Sequence, residues 1–411
     1  MIAVEWFQQT LECVFLIKLD LLNVKKKVEL KAEELNEKYK FTHVCYQAEQ
    51  DILRAARLRE FFGLGGQTFR NALAFRDKVL MKEEVEKAGL SVPPFSRVHS
   101  YSSILLHYKK FGLPLVAKPT CGMGAVDTFI LRDEEDLKKL LLTPLSPSLD
   151  GPIDLEVENF ASGEMYHHNP HSLLSKVFNF ACFNFRYHCD GLIYNNTIKV
   201  MWVSKYVNTC VSFLKSKFLA SYTLQMDNPL LPKINSFVKK TLEGLNRVDS
   251  QNNENLSYSF HVEVFYDHEK DSIVLCEAAC RTGGAGVSDV IKYLFQVDLN
   301  KASVQVQCGD VPNSKAIPQG DFSTQMRSED SKQCAGWLLI YPKVGKLLKL
   351  PNAENLPHIY SQNNSSRREF TQMAHCTDCL SQLIITGKDE NEIIQNIHST
   401  VNWFEENTVW G

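Results

Sequence analysis

The stretch that most constrains this chain is residues 258–286, where Y-S-F-H-V-E-V-F-Y is followed by the polar link D-H-E-K-D and then by S-I-V-L-C-E-A-A-C-R-T-G-G-A-G. Two apolar runs with period-2 character around a charged link predict an antiparallel hairpin that closes near His268 to Ser272. A register symmetric about Lys270 puts Glu263 directly across from Glu277 on one face, where like charges repel. Such a pair does not serve stability. A divalent cation held between the carboxylates resolves the repulsion, and hard oxygen ligands favour Mg²⁺ bridging to substrate phosphates. Just beyond lies Arg281, a planar fork suited to a carboxylate or phosphate, and then Gly283 and Gly284, which let a ligand approach the backbone. The competing reading is an ordinary surface hairpin with solvated acidic residues.

A chain of 411 residues is too long for one core, so about two or three domains are expected. A formal net charge of -3 gives no electrostatic case for binding nucleic acid or an anionic membrane. The 12 cysteines are scattered, which suits reduced thiols in a cytoplasmic protein. Cys376 and Cys379 form a lone C-x-x-C beside His375, without the second pair that a structural zinc needs. Sequons at Asn195, Asn255, Asn363 and Asn364 come with no signal peptide and read as chance matches. No run of about 18 uncharged apolar residues predicts a membrane span. The Lys25 to Lys27 run, followed by alternating acids and lysine, reads as a solvated helix face.

Residues 1–75 read as a small α/β unit, with a strand over 41–46, an amphipathic helix over 52–62 and a turn at Leu64-Gly-Gly. Without an opening strand and glycine-rich turn, its start reads as divergent or incomplete. Asp77 then caps a helix whose face carries Met81, Val85 and Ala88, and Gly89 with Pro93-Pro94 ends it. Lys78 sits at that helix N-terminus, unfavourable alone but well placed beside a bound anion. In L-P-L-V-A-K-P-T-C-G-M-G-A-V-D-T-F-I-L, a strand delivers Lys118 to a loop with Gly122 and Gly124, and a second strand follows. That is a flap whose N–H groups cradle an anion, distinct from a P-loop because no G-K-S/T or helix follows. Asp133 begins a further helix. I-D-L-E-V-E-N-F then reads as a strand whose end offers backbone groups to a base, with Glu158 or Glu164 able to accept from an amine or a ribose hydroxyl. An edge strand carrying protective charges is the alternative there. Residues 176–223 alternate like strands and show no evident chemistry, and 246–256 form a polar link. A helix over 287–295, a strand over 335–342, a turn at 343–345 and an amphipathic helix over 389–406 complete the chain, with no repeats.

Lysine at a helix start, lysine before a glycine flap, a strand ending in glutamate, then facing carboxylates followed by Arg and two glycines: this order resembles the ATP-grasp carboxylate–amine ligases. The matching stretches are R-D-K with K-A-G-L-S-V-P-P-F, P-L-V-A-K-P with G-x-G, E-N-F-A-S-G-E-M-Y-H, F-H-V-E and E-A-A-C-R-T-G-G, and P-K-V-G-K-L resembles the C-terminal domain of the L-amino-acid ligase and carnosine-synthase-like branch. The resemblance covers roughly residues 40–411. It implies an α/β (α+β) ATP-grasp fold: a pre-ATP-grasp domain over 1–75, an ATP-grasp domain over 76–309 with its flap at about 110–165, a catalytic subdomain built on a mixed or antiparallel sheet, and a C-terminal extension over 310–411.

The resemblance also implies roles. Lys78 and Lys118 would hold the phosphates of ATP under the flap at Gly122 and Gly124. Glu158, Asn159, Phe160 and Ala161 would form the adenine edge, with Glu164 at the ribose. Glu263 and Glu277 would bind Mg²⁺, or Mn²⁺ in its place, and Arg281 with Gly283 and Gly284 would hold the carboxylate substrate. The implied reaction joins a small-molecule carboxylate and an amine, both amino acids, through an acyl phosphate, and the resemblance is compatible with a homodimer. Ala279 stands where the family commonly has Asn, and Met165 and Asn169 where Glu and Asp are usual. Those departures motivate a second reading, a nucleotide-binding regulatory or scaffold protein without turnover. A purine-pathway or biotin-carboxylase-like ligase ranks below both, since no biotin-attachment motif is present.

Overall fold

The computed structural model describes residues 27–124, 126–143, 154–160, 185–208, 216–252, 255–309, 334–371, 373 and 378–411. Ala161 and Glu164, and with them Met165, Asn169, His375 and Cys376, lie outside the described residues.

Helix α1 (Lys27–Tyr39) leads to an extended segment that forms no strand, against the expectation for 41–46. Its polar groups turn to a helix near residue 307 instead of to a sheet: Gln307 Oε1 accepts from the Tyr46 N–H at 3.1 Å, and Gln307 Nε2 donates to the Tyr46 carbonyl at 3.0 Å. Helix α2 (Ile52–Phe62) has the expected bounds and ends at Gly63, whose φ of 67° suits glycine. Helix α3 (Phe69–Ala74) follows. Helix α4 (Lys78–Lys87) is capped by Asp77, whose side chain accepts from Val79 and Leu80 N–H.

Next comes β1 (Phe95–Val98), α5 (Tyr101–Phe111), the hairpin of β2 (Leu115–Pro119) and β3 (Phe129–Leu131), then α6 (Glu134–Leu142) capped by Asp133, and β4 (Leu155–Asn159). The four strands form an antiparallel sheet in the order β1-β4-β2-β3. Strand β4 is therefore internal, which removes the edge-strand explanation of its charges. Leu115, Ala117, Leu131, Val157, Ile104 and Leu137 make this sheet's own core.

The remainder builds on a larger sheet. Its strands are β5 (Phe185–Tyr194), β6 (Thr197–Tyr206) and β7 (Phe218–Thr223), then, after α7 (Leu230–Asn246), β8 (Tyr258–Asp267) and β9 (Ser272–Ala279). Beyond α8 (Val287–Phe295) and α9 (Leu299–Gln307) come β10 (Cys334–Ile340), β11 (Gly345–Lys349), β12 (Ile359–Asn364), β13 (Glu369–Phe370), β14 (Ser381–Gly387), α10 (Glu390–Asn407) and β15 (Val409–Trp410). Eight of them run β12-β14-β10-β7-β6-β5-β8-β9, and the small set β13-β11-β15 stands apart. Strand β10 pairs with β7, so the C-terminal strands extend the sheet that carries the hairpin.

Strand β9 is the outer strand of that sheet, and α4 packs against it: the Ala278 N–H lies 3.1 Å from Met81 Sδ, and the Leu275 N–H donates to the Ser91 carbonyl at 3.1 Å. The first N–H of the helix, at Lys78, donates to the Thr120 carbonyl in the flap loop at 3.0 Å. Helix start, flap and hairpin thus meet at one place.

Candidate active site

Glu263 and Glu277 are direct cross-strand partners on β8 and β9. The route to that register differs from a symmetric turn. The hairpin closes one residue tighter, with Asp267 opposite Ser272, and a bulge between Glu263 and Val264 takes up Cys276 and restores the pair. Glu263 is buried, 3% exposed, and bound by Arg186 from β5; the Tyr206 hydroxyl from β6 donates to its Oε1 at 2.7 Å. Glu277 lies 3.4 Å from Lys78 Nζ. Burial pushes the Glu277 carboxyl up, but Lys78, Lys118, Arg186 and Arg281 outweigh it and hold it well below the usual carboxylate range. The facing pair therefore includes a firm anion inside a ring of cations.

Lys78 reaches from the start of α4 and donates to the Gly122 carbonyl at 2.8 Å, so it touches flap and hairpin together. Lys118, on β2, is 2.5 Å from Glu158 Oε1, and Lys82, one turn along α4, is 2.5 Å from Glu156 Oε1 and 2.9 Å from Glu158 Oε2. Burial opposes charge on Lys118, yet Glu158 and Glu156 outweigh it and raise its pKa, so it stays a cation. Burial likewise pushes Glu158 up, while Lys118 and then Lys82 bring it down to about 2. The carboxylate of Glu158 is thus engaged by lysines. The N–H groups of Asn159 and Phe160 donate to the carbonyls of Pro94 and Pro114 at 2.9 and 3.1 Å. Gly124 has a φ of 62°, a left-handed turn in the flap that glycine takes without strain.

Arg281 follows β9 and is held by Glu49, whose Oε2 accepts from Nε at 2.9 Å and from Nη2 at 2.5 Å. Glu49 also binds Arg76, and Arg76 donates to the Cys121 carbonyl of the flap loop. Sequence reading missed Glu49, Arg76, Arg186 and Lys82. Glu49 lies 232 residues from Arg281 in the chain, and no spacing signals the pair.

It missed a buried network as well, in the strands where no chemistry was evident. Asp190 on β5 accepts from His188 Nδ1 at 2.5 Å and from His261 Nδ1 at 2.8 Å, and His188 Nε2 is 2.6 Å from Ser221 Oγ. Burial pushes Asp190 up and the two histidines more than reverse it, while burial lowers His188. With Asp190 ionised both Nδ1 atoms carry the proton, and His188 Nε2 accepts from the serine hydroxyl. The i, i+2 spacing of His188 and Asp190 on an alternating strand was the available signal. A Cβ on Gly283 would fall 2.4 Å from Asp190 Oδ1, whereas one on Gly284 would meet nothing within 4 Å.

Two carboxylates opposed on adjacent strands offer an all-oxygen donor set, which fits Mg²⁺. Ala279 pairs with His261, is buried and supplies no ligand.

No family model matches the sequence. An L-arginine-specific L-amino acid ligase of Bacillus subtilis is 28% identical over 344 residues, spanning 82% of this chain and 76% of that protein. The structure of an L-amino acid ligase from Bacillus licheniformis superposes with a TM-score of 0.69 at 15% identity, over 96% of this chain and 86% of that one. An N5-carboxyaminoimidazole ribonucleotide synthetase in complex with ADP gives a TM-score of 0.64 at 14% identity, over 93% of this chain and 84% of that one. With a backbone that follows that of a solved L-amino acid ligase across nearly its whole length, the chain has the ATP-grasp fold, and its sequence is similar to that of an L-amino acid ligase.

Proposed function

We propose that the chain is an ATP-dependent ligase that joins two amino acids through an acyl phosphate. The observation that carries this reading is the opposed Glu263 and Glu277 pair, ringed by Lys78, Lys118, Arg186 and Arg281. The two named L-amino acid ligases support the amino-acid substrate class.

Glu263 and Glu277 hold Mg²⁺, which when bound neutralises charge on the transferred phosphoryl group. Lys78 and Lys118 position the phosphates of ATP beneath the flap at Gly122 and Gly124. Glu158 and Glu156 fix the lysines rather than touch the nucleotide, and the main chain of Asn159, Phe160 and Ala161 is the adenine edge, with Glu164 beside the ribose. Arg281, aimed by Glu49, holds the carboxylate substrate along Gly283 and Gly284. One carboxylate oxygen attacks the γ-phosphorus, the bond to the bridging oxygen breaks, and ADP leaves. The amine nitrogen then attacks the acyl carbon, the carbon–oxygen bond to phosphate breaks, phosphate leaves and the nitrogen gives its proton to solvent. Such chemistry needs positioning and charge neutralisation more than an acid or base, and this residue set supplies both.

The test is ADP release with ATP and Mg²⁺ across pairs of amino acids, followed by mass analysis for a product equal to the sum of the two less water. ADP without condensed product for every pair, or no ADP at all, would sink the reading. Ala279 favours one alternative, a nucleotide-binding protein without turnover, because it removes a side-chain ligand. Tight Mg·ATP binding that is indifferent to Glu263→Ala, with no ADP, would establish that alternative.

A further inference from the structure

We infer that Asp190, clasped by two histidines, is a positioning residue that aims the metal carboxylate Glu263 and seats the substrate loop at Gly283; this rests on the ligase reading above. On β5 and β8, His188 is the cross-strand partner of Glu263 and Asp190 that of His261. All four side chains share one face of the sheet. Asp190 accepts from both Nδ1 atoms, and His261 turns its Nε2 towards Glu263 Oε1 at 3.4 Å. Behind them, His188 is fixed by Ser221 Oγ at 2.6 Å. Ser221, His188 and Asp190 are each no more than 1% exposed.

A carboxylate removed from water is costly, and an apolar side chain would fill the same core position without that cost. What the carboxylate adds is orientation: it fixes both rings, and it seats the His261 ring in packing contact with Glu263, against the same Oε1 that accepts from Tyr206. Its other contact is with the substrate loop. Gly283 lies so close over Asp190 that a Cβ there would stand 2.4 Å from Oδ1 and 2.9 Å from His261 Nδ1. One buried carboxylate therefore supports both the metal strand and the loop after Arg281. Partners of this kind commonly shift metal affinity by about 10–100-fold when removed.

Asp190→Asn tests the idea, because an amide accepts through one oxygen and cannot serve both Nδ1–H groups. Binding of Mn²⁺ to the full chain with ATP, read from the free-ion signal in electron paramagnetic resonance, needs no turnover. The expected result is about tenfold weaker Mn²⁺ binding and an equal rise in the Mg²⁺ needed for half-maximal ADP release, with the KM for ATP at saturating Mg²⁺ within about twofold of the parent. A variant whose melting temperature or kcat falls while metal affinity stays within twofold would reduce Asp190 to a structural role and overturn the proposal. If Asp190→Asn does not fold, Ser221→Ala keeps the core volume while releasing His188, and unchanged Mn²⁺ affinity there is equally fatal. Parent protein that binds no Mn²⁺ with ATP would sink the ligase reading itself. Stoichiometric zinc in the purified parent, lost in His188→Ala, would instead make the cluster a metal site and overturn the positioning role.

Discussion

Lys82 and Glu156 are both fully buried and sit 2.5 Å apart, with Lys118 and Glu158 completing the cluster. Removing one partner strands a charge in the core. Lys82→Met should therefore cost about 3–5 kcal/mol in urea unfolding, and pairing it with Glu156→Leu should recover most of the loss. If the single variant costs under about 1 kcal/mol, the cluster is wetter than its burial implies. Glu158 allows a pH test. Its carboxyl falls from an ordinary 4.5 to about 2 in the folded chain, so it contributes stability above the ordinary value and loses it as pH drops towards the folded one. The stability gap between the parent and Glu158→Gln should then narrow as pH falls from 4.5 towards 2. A gap that is flat or widens over that range would refute the assignment. Lys78, Lys118, Glu263 and Glu277 were legible as residues because local grammar places each one: an N-cap, a strand before a glycine loop, a hairpin register. Glu49 and Lys82 were not, because their roles come from partners brought in by the fold, and a buried lysine on an amphipathic helix looks like a solvated one.

At the scale of elements, the hairpin and the loop after it carry the site. Folding about Lys270 was readable because antiparallel pairing is arithmetic, but the tighter turn and the compensating bulge at Cys276 were not, since nothing in an alternating run marks where an extra residue is absorbed. Helices α4 and α6 were readable for a chemical reason, an aspartate cap at each start, whereas α3 and α5, capped by Thr68 and Ser100, were not read. The segment 41–46 misled because β-rich composition says nothing about whether a neighbouring strand is available; this one lies against α9. The glycines of the loop separate cleanly. Gly283→Ala drives a methyl group into Asp190 and His261, so its melting temperature should drop and its ADP release should fall about a hundredfold, as a misplacement of about 1 Å does. Gly284→Ala meets open space, and its melting temperature should match the parent within about a degree, the equivalent of a few tenths of a kcal/mol. Equal melting temperatures for the two variants would mean that the loop does not rest on the network.

The whole molecule brings its cations and carboxylates from three separate parts: Glu49 and Arg76 from the N-terminal segment, Lys118 from the four-stranded sheet, and Glu263, Glu277 and Arg281 from the end of the eight-stranded one. The N-terminal segment shares one hydrophobic core with the larger sheet while the four-stranded sheet has its own, so the placement of Lys118 against the hairpin depends on the junction at the start of α4, where Lys78 contacts both the Gly122 carbonyl and Glu277. A ligand gripped by Lys118 on one side and by metal on Glu263 and Glu277 on the other binds only the assembled arrangement. Linkage then requires Mg·ATP to raise the unfolding free energy, by about 2.7 kcal/mol at a hundredfold excess over its dissociation constant. The metal-dependent part of that gain should vanish in Glu277→Gln, while the metal-free gain from ATP alone should persist, because Lys78 and Lys118 remain. In Lys118→Met both gains should be reduced. Thermal unfolding followed with ATP, with and without Mg²⁺, in these two variants separates the contributions. A Glu277→Gln protein stabilised by Mg·ATP as much as the parent would place the metal elsewhere, and would leave the facing carboxylates as structural partners of Lys78, Arg186 and Tyr206.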